Sequence, residues 1–315
     1  MPSIAGTTIV QAKQAEDASV RAALTSDQCF GAGSMDPARD CTSATFPVLS
    51  PDPALAPQDQ PDIYFTDPPC FTTGSTIVSC SFGDPDSPTR IALIGDSHAA
   101  QWQPALRALA EEHHWDLQLY LKTNCAFTEV ERTEQYDACA TWTAGVQKKL
   151  AAEKPMGLVI TSFFAENLDL EVDKGAVSTA AAIAGFQSAW KPIVARGGTV
   201  LALRDTPHMT DGTTVCVATE GTSSSCDVAR AAATARPDLQ YDAAAGMDGA
   251  LRTDLTDKFC TPDVCKAVIG GVAVHTDPYH MTKTYSKTLT GPLYDALRAA
   301  VHGHQVQPAI AAAFR

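Results

Sequence analysis

The sequence predicts an α/β fold in which a parallel β-sheet carries helices on both faces. From Arg90 onwards, short apolar segments alternate with longer segments that have helical periodicity. That alternation is typical of parallel sheets whose strands are covered on both sides. The 315 residues suffice for one large domain with a smaller attachment.

Five strands and four helices are expected after residue 89. The predicted strands are Ile91–Ile94, Leu117–Leu121, Leu158–Ser162, Thr199–Leu203 and Val272–His275. The predicted helices are Gln101–Glu112, Tyr136–Ala152, Val177–Ala195 and Ser286–His302. Pro192 should bend the third helix. Residues 206–271 are expected to form a loop-and-helix insertion, either a lid near a site or plain decoration.

The composition divides the chain into three parts. Residues 1–28 are polar and rich in alanine, which predicts a linker or a loosely docked helix. Residues 29–89 contain nine prolines between positions 47 and 88, so a loop-rich extension is expected to pack on the main domain. Residues 90–305 form the predicted main domain.

Ten cysteines fall into five close sequential pairs. No CxxC and no zinc-type Cys/His spacing is present, so metal binding by these residues is not indicated. An even, clustered set favours disulfides and an oxidising compartment, the alternative being buried free thiols in a cytosolic enzyme. The expected disulfides are Cys29–Cys41, Cys70–Cys80, Cys125–Cys139, Cys216–Cys226 and Cys260–Cys265.

The charge balance argues against a polyanionic partner. With 23 basic and 36 acidic residues the net charge is −13, whereas nucleic acids and anionic membranes select clustered Lys and Arg. No run of 18 apolar residues predicts a membrane span, and residues 1–6 do not resemble a signal peptide. Disulfides without an export signal lead us to expect a piece of a larger exported or membrane-anchored protein.

The segment Arg90–Ala99 predicts an exposed serine at a strand-to-helix turn. Its apolar run stops at Gly95-Asp96, and Ser97 follows at the start of the predicted helix. The unpaired N–H groups of a helix's first turn can face a developing negative charge. Ser97 is therefore a candidate nucleophile for acyl chemistry.

A serine nucleophile needs a base, and His280 is the best candidate among eight histidines. Asp277 precedes it by three residues, a spacing at which a carboxylate can reach Nδ1 and leave Nε2 for Ser97. Taken alone, this segment could be an Asp-Pro turn with a solvent-facing histidine. A metal site made of His275, Asp277 and His280 is a further alternative.

The ordered motifs resemble those of a known superfamily. Gly95-Asp96-Ser97-His98-Ala99 and Asp277-Pro278-Tyr279-His280 resemble the first and last blocks of SGNH hydrolases. More narrowly, the chain resembles the extracytoplasmic SGNH domains fused behind membrane acyltransferase-3 domains in bacteria, in particular actinobacteria. Leu203–Pro207, the segment Cys29–Ala32 with Cys41, and the segment from Asp257 to Cys265 carry the resemblance further, over about residues 29 to 300.

The resemblance implies a three-layer α/β/α, flavodoxin-like fold of the SGNH hydrolase type, without a cofactor. It implies transfer of an acyl group, often acetyl, onto a hydroxyl of a cell-envelope glycan or glycolipid. The acylated donor would come from a membrane acyltransferase-3 domain absent from this chain, which places the protein outside the cytoplasm, in the periplasm or on the outer face of the membrane. Alternatives are an O-acetyl esterase and a non-catalytic glycan-binding domain with a degenerate SGNH fold.

The chain departs from the superfamily at the oxyanion hole. Residues 122–125 and 161–164 follow the second and third strands, and neither loop contains Gly-x-Asn-Asp. The backbone N–H of Ser97 and the side chain of Asn124 are the candidate donors, with a structural role for Asn124 beside Cys125 equally open. Asp96 is expected to brace the turn and His98 to be a supporting residue at the start of the helix.

Overall fold

A six-stranded β-sheet forms the centre of the computed structural model, which describes residues 22–130, 137–222 and 224–315 together with Ala18 and Val20. Most of the predicted linker 1–28 lies outside the described residues, as does Tyr136, the first residue of the predicted second helix. Among the described residues, no helix is both long and apolar enough to cross a bilayer.

The elements with defined bounds are as follows. The strands are β1 (Cys80–Gly83), β2 (Arg90–Gly95), β3 (Asp116–Leu121), β4 (Leu158–Ser162), β5 (Thr199–Leu203), β6 (Val228–Ala229), β7 (Ala250–Thr253), β8 (Val264–Cys265), β9 (Val268–Ile269) and β10 (Val272–Ala273). The α-helices are α1 (Ser97–Ala100), α2 (Gln103–Glu112), α3 (Asp137–Ala152), α4 (Ala165–Asp173), α5 (Thr179–Ala195), α6 (Thr213–Glu220), α7 (Arg230–Ala233), α8 (Leu239–Ala245), α9 (Lys283–Thr288), α10 (Thr290–Val301) and α11 (Pro308–Ala313). Short 3₁₀ helices cover Gly31–Met35, Ala56–Gln58, Asp62–Tyr64, Ser224–Cys226 and Thr256–Lys258.

The order of the strands confirms the predicted flavodoxin-like fold. The sheet runs β1-β3-β2-β4-β5-β7; β1 is antiparallel to β3, and the other five strands are parallel. Counted along the chain, the parallel strands lie in the order 2-1-3-4-5, and such sheets bind ligands where the order reverses. Here that point is the carboxyl end of β2, between β3 and β4.

Strand β2 is buried on both faces. Ile91 and Leu93 belong to one apolar cluster, and Ala92 and Ile94 belong to a second. Successive side chains of a strand point to opposite sides of the sheet, so the two clusters are the two helix-covered layers. All four side chains are fully buried. The turn that follows β2 is thus fixed to a strand that is buried on both faces.

The predicted fifth strand, Val272–His275, is wrong. Only Val272–Ala273 forms a strand, which pairs with β9 across a turn at Gly270-Gly271 and lies outside the main sheet. The fifth parallel strand is β7, inside the predicted insertion 206–271. At the edge of the sheet β7 is only partly buried, so it lacks the continuous apolar run that marks its neighbours.

The extension also contributes to the sheet. Strand β1 lies within the predicted loop-rich part and pairs with β3. Two further predictions differ in detail. The helix predicted over 101–112 begins two residues later, as α2, and the separate short helix α1 precedes it. The helix predicted over 286–302 is divided between α9 and α10. All five expected disulfides are present, and two of them, Cys29–Cys41 and Cys70–Cys80, lie in the extension.

Candidate active site

Asp96 fixes the turn that carries Ser97. Its carboxylate caps α1 by accepting a hydrogen bond from the N–H of His98 at 2.9 Å. It also accepts the N–H of Phe164, which follows β4, at 3.1 Å and 3.2 Å. Burial raises the pKa of Asp96, while the charge of His98 and these N–H groups act in the opposite direction. One buried carboxylate therefore joins the turn after β2 to the loop after β4.

Gly95 permits close contact between the same two strands. Its φ is +153°, and a Cβ at this position would lie 1.9 Å from the carbonyl oxygen of Ser162. That distance is far below any real contact, so a larger residue would push β2 and β4 apart. The turn before Ser97 thus depends on a residue without a side chain.

The structure brings Ser97, His280 and Asp277 together. Nε2 of His280 lies 2.9 Å from the Ser97 Oγ. Nδ1 of His280 lies 2.8 Å and 3.0 Å from the two carboxylate oxygens of Asp277. The Asp277 carboxylate also accepts the N–H groups of Tyr279 and His280, which fixes the turn between the two side chains.

The charges in this array are complementary. Burial alone would raise the pKa of Asp277, but the hydrogen bond and charge of His280 together with the two backbone N–H groups lower it to about 2. Burial alone would lower the pKa of His280, but the hydrogen bond and charge of Asp277 outweigh burial and raise it above 6.5. Asp277 is therefore ionised at neutral pH, and the pKa of His280 lies above its ordinary value.

His98 forms a second buried His-Asp pair behind His280. It is fully buried, its Nδ1 lies 2.5 Å from Asp205, and its ring centroid lies 4.7 Å from that of His280. On the other side its ring stacks on Phe164. His98 therefore packs between the loop after β4 and the histidine that contacts Ser97.

Asp205 is the acceptor at the centre of this second cluster. It accepts the N–H groups of Ala165 and Thr206 and also contacts His208 at 3.3 Å. Burial alone would raise its pKa, but the two histidines hold the pKa below its ordinary value. The loops after β4 and β5 are thus tied together directly beside the candidate site.

Arg204 does not pair with Asp205, its neighbour in sequence. Arg204 lies 3.5 Å from Asp254, and its guanidinium lies over the ring of Tyr241. Consecutive residues at the end of a strand point to opposite sides, which separates the two side chains.

The metal alternative has little geometric support. Both ring nitrogens of His280 are engaged, one by Ser97 and one by Asp277, so binding of an ion would have to break these contacts. His275 is buried, and burial lowers its pKa to about 4. Within the described part of the chain, no three His, Cys, Asp or Glu side chains are grouped as metal ligands.

The oxyanion donors only partly follow the expectation. Ser97 lies at the start of α1, where its N–H has no intrahelical partner. Asn124 is exposed, has a φ of 55°, and does not line the cavity at Ser97, so its position beside Cys125 agrees better with a structural role. Thr123 lines the cavity instead. Asparagine readily adopts this left-handed backbone, which is consistent with the structural role that the sequence left equally open for Asn124.

A cavity of about 240 Å³ opens beside Ser97 and His280. The extension supplies part of its wall through Pro61, Tyr64 and Phe71. No motif or spacing in the sequence points to these three residues. The available signal was the presence of aromatic side chains among the prolines of an otherwise polar segment.

Comparisons with known proteins agree with the observed fold. A family model described as an SGNH domain (fused to AT3 domains) matches residues 67–295. No curated protein matches the chain. Among solved structures, the periplasmic domain of a lipopolysaccharide acetyltransferase from Salmonella ser. Paratyphi A is 13% identical, with a TM-score of 0.49; the match covers 66% of this chain and 82% of that one. A carbohydrate acetylesterase family member from Sinorhizobium meliloti is 11% identical, with a TM-score of 0.39, over 67% of this chain and 98% of that one. These two likenesses are too distant to carry an argument about activity.

Proposed function

The chain belongs to the family of SGNH domains fused to AT3 domains, and on that premise we propose that it is a serine-dependent O-acyltransferase. The group transferred would be a short acyl group such as acetyl, and the acceptor a hydroxyl of a cell-envelope glycan or glycolipid. The observation that carries the proposal is the hydrogen-bonded array Ser97–His280–Asp277 at the edge of an open cavity.

In the first half-reaction Ser97 takes the acyl group from the donor. Its Oγ attacks the carbonyl carbon and forms a new C–O bond, while His280 Nε2 accepts the hydroxyl proton. The carbonyl oxygen becomes an oxyanion, which the Ser97 N–H stabilises. When the intermediate collapses, the bond to the donor breaks, and the leaving group takes the proton from His280.

In the second half-reaction the acyl group passes from Ser97 to the acceptor hydroxyl. His280 removes the proton of the acceptor hydroxyl, whose oxygen attacks the acyl-serine carbonyl carbon. Collapse breaks the bond to the Ser97 Oγ, which regains its proton from His280. Water in place of the acceptor gives hydrolysis by the same steps, so the isolated chain can be assayed as an esterase.

Asp277 supports both halves by holding one tautomer of the base. Its carboxylate accepts a hydrogen bond from Nδ1–H of His280, which leaves Nε2 unprotonated towards Ser97. The negative charge also stabilises the imidazolium that forms in each half-reaction.

The proposed setting is outside the cytoplasm, with the acyl donor supplied by a membrane acyltransferase-3 domain. Five disulfides among the described residues support an oxidising compartment. The family description supports the partner, because it names domains fused to AT3 domains. The net charge of −13 does not favour nucleic acid as a ligand.

Hydrolysis of an aryl acetate by the purified chain tests the chemistry. Ser97→Ala and His280→Ala should each lower kcat by about 10⁴ or more, because each removes a member of a unit that acts together. Ser188→Ala is a matched control, since it removes a serine hydroxyl on α5 that donates to Glu129. A fluorophosphonate should label wild type and the control but not Ser97→Ala. Unchanged hydrolysis by Ser97→Ala would contradict the proposed function.

A further inference from the structure

The extension places an aromatic pair in the cavity beside Ser97. Tyr64 ends the 3₁₀ helix Asp62–Tyr64, and its ring meets Phe71 edge-to-face, with centroids 4.8 Å apart and planes at 89°. Both rings line the cavity that holds Ser97 and His280. A tyrosine from outside the core of the fold therefore faces the same space as the candidate nucleophile.

Tyr64 is held by the start of α9. The Asp59 carboxylate accepts the N–H of Thr284 at 2.8 Å, and the Asp59 carbonyl accepts the N–H of Lys283 at 2.6 Å. The buried Lys283 side chain also reaches Asp62, at 3.3 Å. Helix α9 begins shortly after His280. The segment that contains Tyr64 is therefore held at a fixed position relative to His280.

A second set of contacts ties the same segment to the other side of the cavity. Thr72 pairs with Lys122 just after β3, and its carbonyl accepts the N–H of Thr123 at 3.0 Å. The disulfide Cys70–Cys80 joins the segment to β1. Because the segment is fixed to secondary structure on both sides of the cavity, Tyr64 and Phe71 form a fixed wall of the site.

Most polar donors around Ser97 are already engaged. The N–H of Thr123 bonds to Thr72, and the N–H of Phe164 bonds to Asp96. The side-chain amide of Gln101 donates to Thr206. An oxyanion hole needs a donor besides the Ser97 N–H. The two backbone N–H groups are not available for that role, and one of the two N–H bonds of the Gln101 amide is already taken.

The Tyr64 hydroxyl is a donor without a protein acceptor. None of the described residues accepts a hydrogen bond from it. Burial and the negative charges of Asp96 and Asp277 raise its pKa above 10.0, so it keeps its proton throughout the neutral range. It would therefore meet an oxyanion as a donor.

We propose that the Tyr64 hydroxyl donates a hydrogen bond to the oxyanion of the tetrahedral intermediate and completes the hole begun by the Ser97 N–H. The inference rests on the proposed function, since it requires an acyl group attached to Ser97. It assigns to the extension a residue that touches the reacting atoms, in place of the asparagine that the loops after β3 and β4 do not supply.

Tyr64→Phe tests this assignment, because it removes the hydroxyl and keeps the ring against Phe71. With the aryl acetate, kcat should fall by about 10² to 10³, the usual effect of losing one oxyanion donor, while KM stays within about twofold. Tyr294→Phe is the matched control: it removes a tyrosine hydroxyl that donates to the Ala313 carbonyl, and kcat should not change.

The outcomes separate this inference from the proposed function. If Ser97→Ala is inactive and Tyr64→Phe keeps the wild-type kcat, or changes only KM, the oxyanion role of Tyr64 is overturned and the proposed function stands. If Ser97→Ala keeps full activity, both the proposed function and the oxyanion role of Tyr64 are contradicted. Thermal unfolding of Tyr64→Phe is measured alongside. If the variant unfolds at a lower temperature than wild type, kcat is determined well below its unfolding temperature, where the enzyme is folded.

Discussion

Replacing Asp277 by asparagine should reverse the tautomer of His280. Asparagine has the same shape, and its carbonyl oxygen can still accept the N–H groups of Tyr279 and His280, which lie 2.8 Å and 2.9 Å from the carboxylate. Its NH₂ group then faces Nδ1 of His280 and donates to it. The imidazole proton moves to Nε2, which faces Ser97 and can no longer act as a base.

The size of the effect follows from the exposure of the carboxylate. Removing the charge of a buried triad aspartate in this way costs about 10⁴ in kcat. The Asp277 side chain is 42% exposed, so solvent screens part of its interaction with His280. We therefore expect a loss of about 10² to 10³ in kcat, or about 2.7 to 4.1 kcal/mol of activation free energy.

The same substitution should also move the pH profile. The base must be neutral, so wild-type kcat/KM should rise with pH through the pKa of His280, which lies above 6.5. Asp277 supplies the interactions that raise this pKa. In Asp277→Asn the acid limb of the kcat/KM profile should consequently shift to lower pH, and the kcat/KM reached at its plateau should be much lower than in wild type.

Steady-state hydrolysis of an aryl acetate from about pH 5 to about pH 9 measures both effects, because histidine titrates in this range. Asp295→Asn is the control, since it neutralises an exposed carboxylate that pairs with Arg298 on α10. A loss of less than about fivefold, or an acid limb that does not move, would refute the role given to Asp277.

Two further substitutions test the framework of the site. Gly95→Ala should lower the free energy of unfolding by about 1 to 3 kcal/mol or more, because the new Cβ would collide with the Ser162 carbonyl oxygen. Gly291 lies in α10 with open space around it, so Gly291→Ala should raise the free energy of unfolding by about 0.8 to 1 kcal/mol. Urea unfolding compares the two, and equal stability of Gly95→Ala and wild type would contradict the packing. Asp205→Asn should destabilise by about 1 to 3 kcal/mol near neutral pH through the weakened bond to buried His98. The lowered pKa of Asp205 contributes stability above pH 3.8 that is lost as the pH falls further, so the difference from wild type should shrink in acid; thermal unfolding that shows a constant difference would argue against this origin.

Local sequence signals predicted the parts of the fold and site that depend on near neighbours. A buried apolar run followed by Gly95 and Asp96 identified the strand-to-helix turn, because burial and capping act within a few residues. The three-residue spacing of Asp277 and His280 predicted their proximity for the same reason. Their catalytic roles remain predictions until the substitutions are made.

The features that were missed depend on pairs far apart in the chain. Strand β7 at the sheet edge has four residues and no continuous apolar run, and only its pairing with β5 reveals it. The contact between His98 and Asp205 spans 107 residues, and neither residue type specifies its partner. Tyr64 reaches the cavity only because Asp59 is fixed to α9, an arrangement with no periodic signature.

The extension crosses the cleft from one side to the other. Ser50 pairs with Val272 on the side of the base, and Thr72 pairs with Lys122 beyond the nucleophile. The peptide between these two points contains Tyr64, so its length and composition affect the size of the cavity beside Ser97.

Similarity to the family model begins only at residue 67, within this crossing. A fragment or chimera that starts there keeps Ser97 and His280 but discards the Tyr64 side of the cavity. On the proposed function, we expect exchange of the crossing, residues 50–72, between relatives to change which acyl group is accepted and to leave Ser97 and His280 in place.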